Sequence, residues 1–263
     1  AQEFGVWLLL GSAAIAAGTG KVFNRSFLYT PDGEVAARYD KINLFDVTLG
    51  GGETYRESET VEGGARAVMV AGPMDVKIGL TICYDVRFSP LYTAYAKAGA
   101  DIIAVPAAFT VPTGQAHWET LLRARAIETG AFIIAPAQGG RHEDGRATYG
   151  HSLIADPWGK VIAKLDHDEP GVLVADLDLD QVGEYVVRVV AQQRIAVEEN
   201  RRHSRHQHHV ERHGAQRARL GQQPDVHRQR GQEYFHQHAG GADQRAVELA
   251  AKRRRRRRVH VRH

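Results

Sequence analysis

Along residues 1–182, apolar positions fall in short runs or strict alternation, separated by Gly, Pro and Asp turn clusters. Residues 6–10 (Val-Trp-Leu-Leu-Leu) end at Gly11-Ser12, which reads as a strand. Residues 26–29 and 35–39 flank Pro31-Asp32-Gly33, turn chemistry that predicts a hairpin. Residues 76–82 alternate, with Val76, Ile78, Leu80 and Ile82 predicted on one face and Lys77, Gly79, Thr81 and Cys83 on the other. Ser89 as N-cap, Pro90 at the first helical position and Gly99 past the end bracket a helix over residues 91–98. Residues 101–105 read as a buried strand, 115–129 as a helix closed by Gly130, and 131–135 and 150–155 as strands. Asp156-Pro157-Trp158-Gly159 is a turn before a paired strand at 160–165, and 172–176 is the last strand. Crossover helices mixed with hairpins predict an α/β fold with a mixed sheet.

After Asp180 this periodicity fails, and the charge changes sign with it. Residues 1–190 carry 16 Lys+Arg against 24 Asp+Glu, a net charge of −8. Residues 191–263 carry 18 against 7, a net charge of +11, with ten of the 14 histidines and only two aromatics, Tyr234 and Phe235. Such a segment cannot bury enough apolar surface to offset its ordering entropy, so residues 183–263 are expected to form a disordered basic tail behind a domain over 1–182. The acidic body gives no reason to expect nucleic-acid binding. The tail alone leaves two readings from another class open: an electrostatic arm for nucleic acid, or a metal site at His206, His208 and His209. Against the first, aromatics are not interleaved with the basic residues; against the second, the histidines are irregular. No apolar run reaches the roughly 18 residues of a membrane span. The single cysteine excludes an internal disulfide and fits a reducing compartment, so a cytoplasmic location is expected.

That cysteine is also the first candidate for chemistry. A lone Cys is most often a small buried hydrophobe, but Cys83 sits where a strand gives way to a turn and a helix, in the polar stretch Cys83-Tyr84-Asp85-Val86-Arg87-Phe88. The carboxyl end of a strand is where α/β folds bind ligands, the following amides can serve as oxyanion donors, and a thiolate there is a nucleophile. Lys41 ends the hairpin strand; by position alone it is an exposed strand-end lysine. Glu119 shares a helix face with Leu122 and Ala126, and spacing alone equally allows an ion pair with Arg123. His117 and His151 read as hydrogen-bonded structural histidines, Trp118 and Trp158 as packing residues, and Gly50-Gly51-Gly52 as a flexible loop.

Taken together, these segments resemble the carbon–nitrogen hydrolase (nitrilase) superfamily over residues 1–180. Tyr39-Asp40-Lys41-Ile42-Asn43-Leu44-Phe45-Asp46 resembles the segment of its catalytic lysine, and Gly79-Leu80-Thr81-Ile82-Cys83-Tyr84-Asp85-Val86-Arg87-Phe88 its nucleophile segment. His117-Trp118-Glu119 with Leu122-Arg123-Ala124-Arg125-Ala126-Ile127-Glu128 resembles the helix of a supporting glutamate. Tyr149-Gly150-His151-Ser152 and Asp156-Pro157-Trp158-Gly159 also match, and Ala137-Gln138-Gly139-Gly140-Arg141-His142 is most similar to the deaminated-glutathione amidase subgroup.

The resemblance implies an α-β-β-α sandwich, paired into dimers or larger homo-oligomers, with no cofactor and no metal. It implies a small-molecule amide substrate attacked by Cys83, with Lys41 and the amide after the cysteine holding the oxyanion and Glu119 orienting Lys41. Nitrilase, omega-amidase and N-carbamoyl hydrolase activities share these residues and stay open. The family's base glutamate precedes the matched region; Glu3 does not match it, so the domain is expected to be incomplete at its N-terminus, with the first strand and helix missing and little activity of its own. Residues past 182 match nothing in the family. Their His, Arg and Gln richness is what a GC-rich gene yields out of frame, so the tail is expected to be a frameshift product.

Overall fold

A computed structural model describes residues 1–50, 52–182 and 258–262, all of which belong to one unit of the fold. Strands β1 (Leu8–Ala16), β2 (Val22–Tyr29) and β3 (Val35–Asp40) form an antiparallel three-stranded sheet. The β2–β3 hairpin turns at Pro31-Asp32-Gly33, where the Gly33 amide donates to the Thr30 carbonyl at 2.9 Å. β1 does not end at Gly11-Ser12 as the apolar run suggested: a register shift between Leu10 and Ala13 lets it continue to Ala16. A second hairpin, β4 (Asp46–Thr48) with β5 (Thr54–Arg56), flanks the glycine cluster that composition marked as loop.

The main sheet starts with β6 (Val68–Ala71) and β7 (Lys77–Leu80), followed by helix α1 (Ser89–Ala98), β8 (Ile102–Ala104), helix α2 (Val111–Thr129) and β9 (Phe132–Ala135). Gly99 and Gly130 close the two helices in the left-handed region, at φ 80° and 65°. Ser89 is the first residue of α1 and Phe88 its cap, so the cap assigned to Ser89 moves by one position. A short pair, β10 (Gly139–Arg141) and β11 (Ala147–Tyr149), precedes the hairpin of β12 (Leu153–Ala155) and β13 (Val161–Lys164), and β14 (Val174–Asp178) follows. The six-stranded order is β13-β12-β9-β8-β7-β6, parallel across β7, β8 and β9 and antiparallel elsewhere. This is the mixed sheet that crossovers and hairpins predicted.

Both faces of this sheet are buried, which its near-continuous Ile and Val runs require. Ile103, Val105, Ile133, Ala135, Leu153 and Ala155 meet α1 and α2 through Tyr92, Tyr95, Trp118 and Leu122. On the opposite face, Ile102, Phe132 and Ile154 pack with Leu173 and Leu177, while Leu80, Ile82 and Ala104 pack with Tyr39 of β3. The expected polar face of residues 76–82 is buried in part: Gly79 and Thr81 lie under α1, with the Thr81 hydroxyl 3.0 Å from that of Tyr92, while Lys77 is exposed. Trp118 is the packing residue expected of it, whereas Trp158 is 72% exposed at the tip of its turn.

Beyond 182, residues 258–262 form β15 (Arg258–Arg262), antiparallel to β14. The reading of the tail had no strand there, because its apolar content is two valines among basic residues. The expectation of disorder over residues 183–257, and the three tail histidines, lie outside the described residues. Among the described residues, no helix is long and apolar enough to cross a membrane.

The sheet centre carries the stability. Ile133 is fully buried, and Ile133→Ala is expected to cost about 2–5 kcal/mol through lost burial and a residual cavity. A lowered urea midpoint at unchanged m-value is the measurement.

Candidate active site

β7 ends at Leu80 and delivers Cys83 to the start of a short 3-10 turn, Cys83–Arg87, at the carboxyl end of the parallel strands. The turn is anchored on both sides. The Cys83 amide donates to the Pro106 carbonyl at 2.8 Å, and Arg125 of α2 donates through Nε to the Val86 carbonyl at 2.8 Å. Cys83 itself has φ 51°, a conformation that costs a non-glycine residue on the order of 1–3 kcal/mol and persists where surrounding structure enforces it. The half-buried thiol is thereby turned out of the strand direction, as nucleophile elbows require.

Lys41 comes to this site from the end of β3. It is 2% exposed, and its Nζ donates to Glu57 Oε2 at 2.5 Å. The same carboxylate oxygen accepts the Phe45 amide at 2.6 Å. Glu57 directly follows β5, so the β4–β5 hairpin folds the chain back and sets the carboxylate beside the lysine. This is the residue that sequence reasoning missed. Its signal was weak: one glutamate among Glu53, Glu57, Glu59 and Glu62, sixteen positions from Lys41.

Glu119, expected to hold Lys41, does not reach it. Its carboxylate pairs with Lys164 of β13 at 3.1 Å and with Arg123 at 3.8 Å, and its side chain is 42% exposed. The ion pair with Arg123 that spacing allowed is present, and in place of the expected Lys41 the carboxylate meets Lys164 of β13. Such exposed pairs are worth at most about 1 kcal/mol. His117 places Nδ1 3.2 Å from Arg87 Nη2, and the His151 ring stacks on Tyr149 at 3.8 Å, so both histidines are engaged within the structure.

Asp85, two residues after Cys83, is fully buried. Oδ2 accepts the Tyr39 hydroxyl at 2.6 Å and the Ile82 amide at 2.9 Å; Oδ1 accepts the Asn43 amide at 2.9 Å and Asn43 Nδ2 at 2.8 Å. The charges around Cys83 act in opposite directions. Burial pushes the thiol pKa up; Lys41 and the Ala108 amide pull it down, and Glu57 and Asp85 add to the rise. The net is a raised value, which favours the protonated thiol. Aromatic rings wall the neighbourhood: Phe45 meets Tyr55 and Tyr84 at 5.1 Å each, and Arg87 lies 5.7 Å from the Tyr84 ring centre and 5.5 Å from that of Phe109. Among the described residues, no group of three His, Cys, Asp or Glu is placed to hold a metal ion.

The site thus brings a thiol in a strained turn after β7 close to a buried lysine held by a glutamate. The chain belongs to the carbon–nitrogen hydrolase family, whose profile matches residues 1–186. It is 44% identical over 185 residues to the deaminated glutathione amidase of Synechocystis, covering 69% of this chain and 68% of that one. Its fold is similar to the crystal structure of the C. elegans NitFhit protein, with a TM-score of 0.64 and 39% identity, covering 70% of this chain and 45% of that one. A variant of the amidase from Nesterenkonia sp. AN1, carrying the acetamide moiety of fluoroacetamide on its active-site cysteine, aligns with a TM-score of 0.58 and 26% identity over 73% of this chain and 68% of that one. The chain therefore spans less than half of the nematode protein.

Because Lys41 lowers the thiol pKa, Lys41→Met is expected to move the pH midpoint of Cys83 alkylation by iodoacetamide upward and to slow alkylation at pH 8. Glu119→Gln, remote from the thiol, is expected to leave the midpoint where it is.

Proposed function

We propose that Cys83 is the nucleophile of an amide hydrolase acting on small carboxylate-bearing amides of the deaminated-glutathione type. The observation that carries this reading is the pairing of the strained Cys83 with Lys41 fixed by Glu57. The thiol sulfur attacks the amide carbon, and the carbonyl oxygen takes the negative charge. Lys41, already held in place, and the Tyr84 amide, at the start of a turn where no preceding carbonyl satisfies it, stabilise that oxygen. The C–N bond then breaks, the thiol proton leaves with the departing nitrogen, and water cleaves the thioester to release the acid and restore the thiol.

Arg87 supports the carboxylate preference. It lies four residues beyond the nucleophile, in contact with the aromatic wall, and among the described residues it makes no ion pair with an Asp or Glu. A guanidinium is suited to bidentate recognition of a carboxylate. The Synechocystis relative's name and the cysteine adduct of the Nesterenkonia amidase agree with this chemistry. A homo-oligomer in a reducing compartment completes the reading; the single half-buried cysteine fits the second part of it.

The test is acylation of Cys83 by 4-nitrophenyl esters, followed by release of nitrophenolate and by intact mass. Cys83→Ser is expected to abolish the adduct, since an unactivated hydroxyl is a far poorer nucleophile. Arg87→Gln is expected to slow acylation by the glutarate monoester about tenfold or more, while the uncharged butyrate ester loses little. An adduct on Cys83→Ser, or equal losses with both esters, overturns the corresponding part of the reading.

A further inference from the structure

We infer that Asp85 is a positioning residue that fixes Lys41 relative to Cys83, so that the oxyanion side of the site is aligned through one buried carboxylate. This rests on the hydrolase reading above and goes beyond it. The two reacting residues come from different sheets: Lys41 follows β3 of the three-stranded sheet, and Cys83 follows β7 of the six-stranded one. Asp85 bonds to residues on both sides of Lys41 and to the residue before Cys83. Tyr39 and Asn43 stand two residues before and two residues after Lys41, and Ile82 directly precedes Cys83.

An ionised carboxylate offers about four acceptor sites and no donor. Here it receives four donors: the Asn43 amide and side chain on Oδ1, and the Tyr39 hydroxyl and the Ile82 amide on Oδ2. The Oδ2 pair is the direct tie: one oxygen holds the Tyr39 hydroxyl of β3 and the Ile82 amide next to the nucleophile. No other acidic or neutral side chain of this size supplies that set. An amide in place of the carboxylate keeps Oδ1 for Asn43, and Tyr39 can turn to accept from its nitrogen. The Ile82 amide then faces a donor, which releases the strand end at Cys83 itself.

Asp85 raises the pKa of the thiol it serves. Its charge therefore works against thiolate formation, and its contribution has to come from geometry. That separates its signature from that of an electrostatic activator and from that of a purely structural core residue.

The experiment compares two reactions of the same thiol on the full chain. Iodoacetamide alkylation needs a thiolate but forms no oxyanion. Acylation by 4-nitrophenyl acetate passes through an oxyanion next to Lys41. Their ratio, relative to the same ratio for glutathione, reads the alignment of Lys41 independently of the folded fraction and of the thiolate fraction. In Asp85→Asn, alkylation at pH 7 is expected to hold or rise while the ratio falls by roughly 10- to 100-fold, the scale of a misplacement of about 1 Å. Tyr39→Phe and Asn43→Ala each keep the charge and remove one donor; in both, alkylation is expected to stay near wild type while the ratio falls. These two carry the test if Asp85→Asn loses its near-UV circular dichroism. A wild-type ratio retained in all the folded variants overturns the positioning role, as does a parallel loss of both reactions. A wild-type chain with no ratio above that of glutathione overturns the hydrolase reading and this inference together.

Discussion

The buried Lys41–Glu57 ion pair is the interaction on which the site depends. An ammonium with 2% exposure has lost nearly all of its hydration, and the effective cost of that is several kcal/mol unless a close carboxylate offsets it. Glu57 meets the requirement at 2.5 Å, and the Phe45 amide, donating to the same oxygen, keeps the carboxylate from turning away. The need propagates outward. Glu57 can stand there only because the β4–β5 hairpin reverses the chain between Phe45 and Glu57, whose amide returns to the Phe45 carbonyl at 3.4 Å. The same reversal brings Phe45 and Tyr55 together as part of the aromatic wall. One charge-pairing requirement thus explains a hairpin that is otherwise polar and exposed.

Elements with a strong period or strong punctuation were legible in the sequence. The β2–β3 hairpin was marked by Pro31-Asp32-Gly33, the ends of α1 and α2 by Gly99 and Gly130, and the sheet centre by its Ile-rich runs. The β4–β5 hairpin was not, since three-residue strands of Asp-Val-Thr and Thr-Tyr-Arg around a glycine cluster are too short to show alternation. Cys83 was legible as a candidate from its place after a strand in a polar stretch; Lys41 was legible only through the family resemblance, since by position alone it read as an exposed strand-end lysine, whereas it is 2% exposed. Their carboxylate partners were not. Glu119 stood on a helix face that looked ready for an inward-facing partner, yet the partner on that face is Lys164, a residue 45 positions away that only the tertiary fold brings there. Helix periodicity says which side a residue faces and nothing about which strand lies opposite.

The electrostatic balance at Cys83 shows what the frame is built to do. Burial raises the thiol pKa most, and two carboxylates, Glu57 and Asp85, add to the rise; Lys41 and the Ala108 amide only partly reverse this. A protonated thiol is slow to oxidise and slow to react with stray electrophiles, since both reactions need the thiolate. In the proposed reaction the cost is that sulfur must lose its proton as attack proceeds. Stabilisation there falls where charge appears later, on the substrate oxygen, from a cation whose position is already fixed before substrate arrives. Both carboxylates that oppose the thiolate help hold that position: Glu57 grips the ammonium, and Asp85 holds the Tyr39 hydroxyl before it and the Asn43 amide after it. The same two charges that hold the lysine add to the rise that burial imposes on the thiol, so removing either to gain reactivity would loosen the group that receives the oxyanion in the proposed reaction.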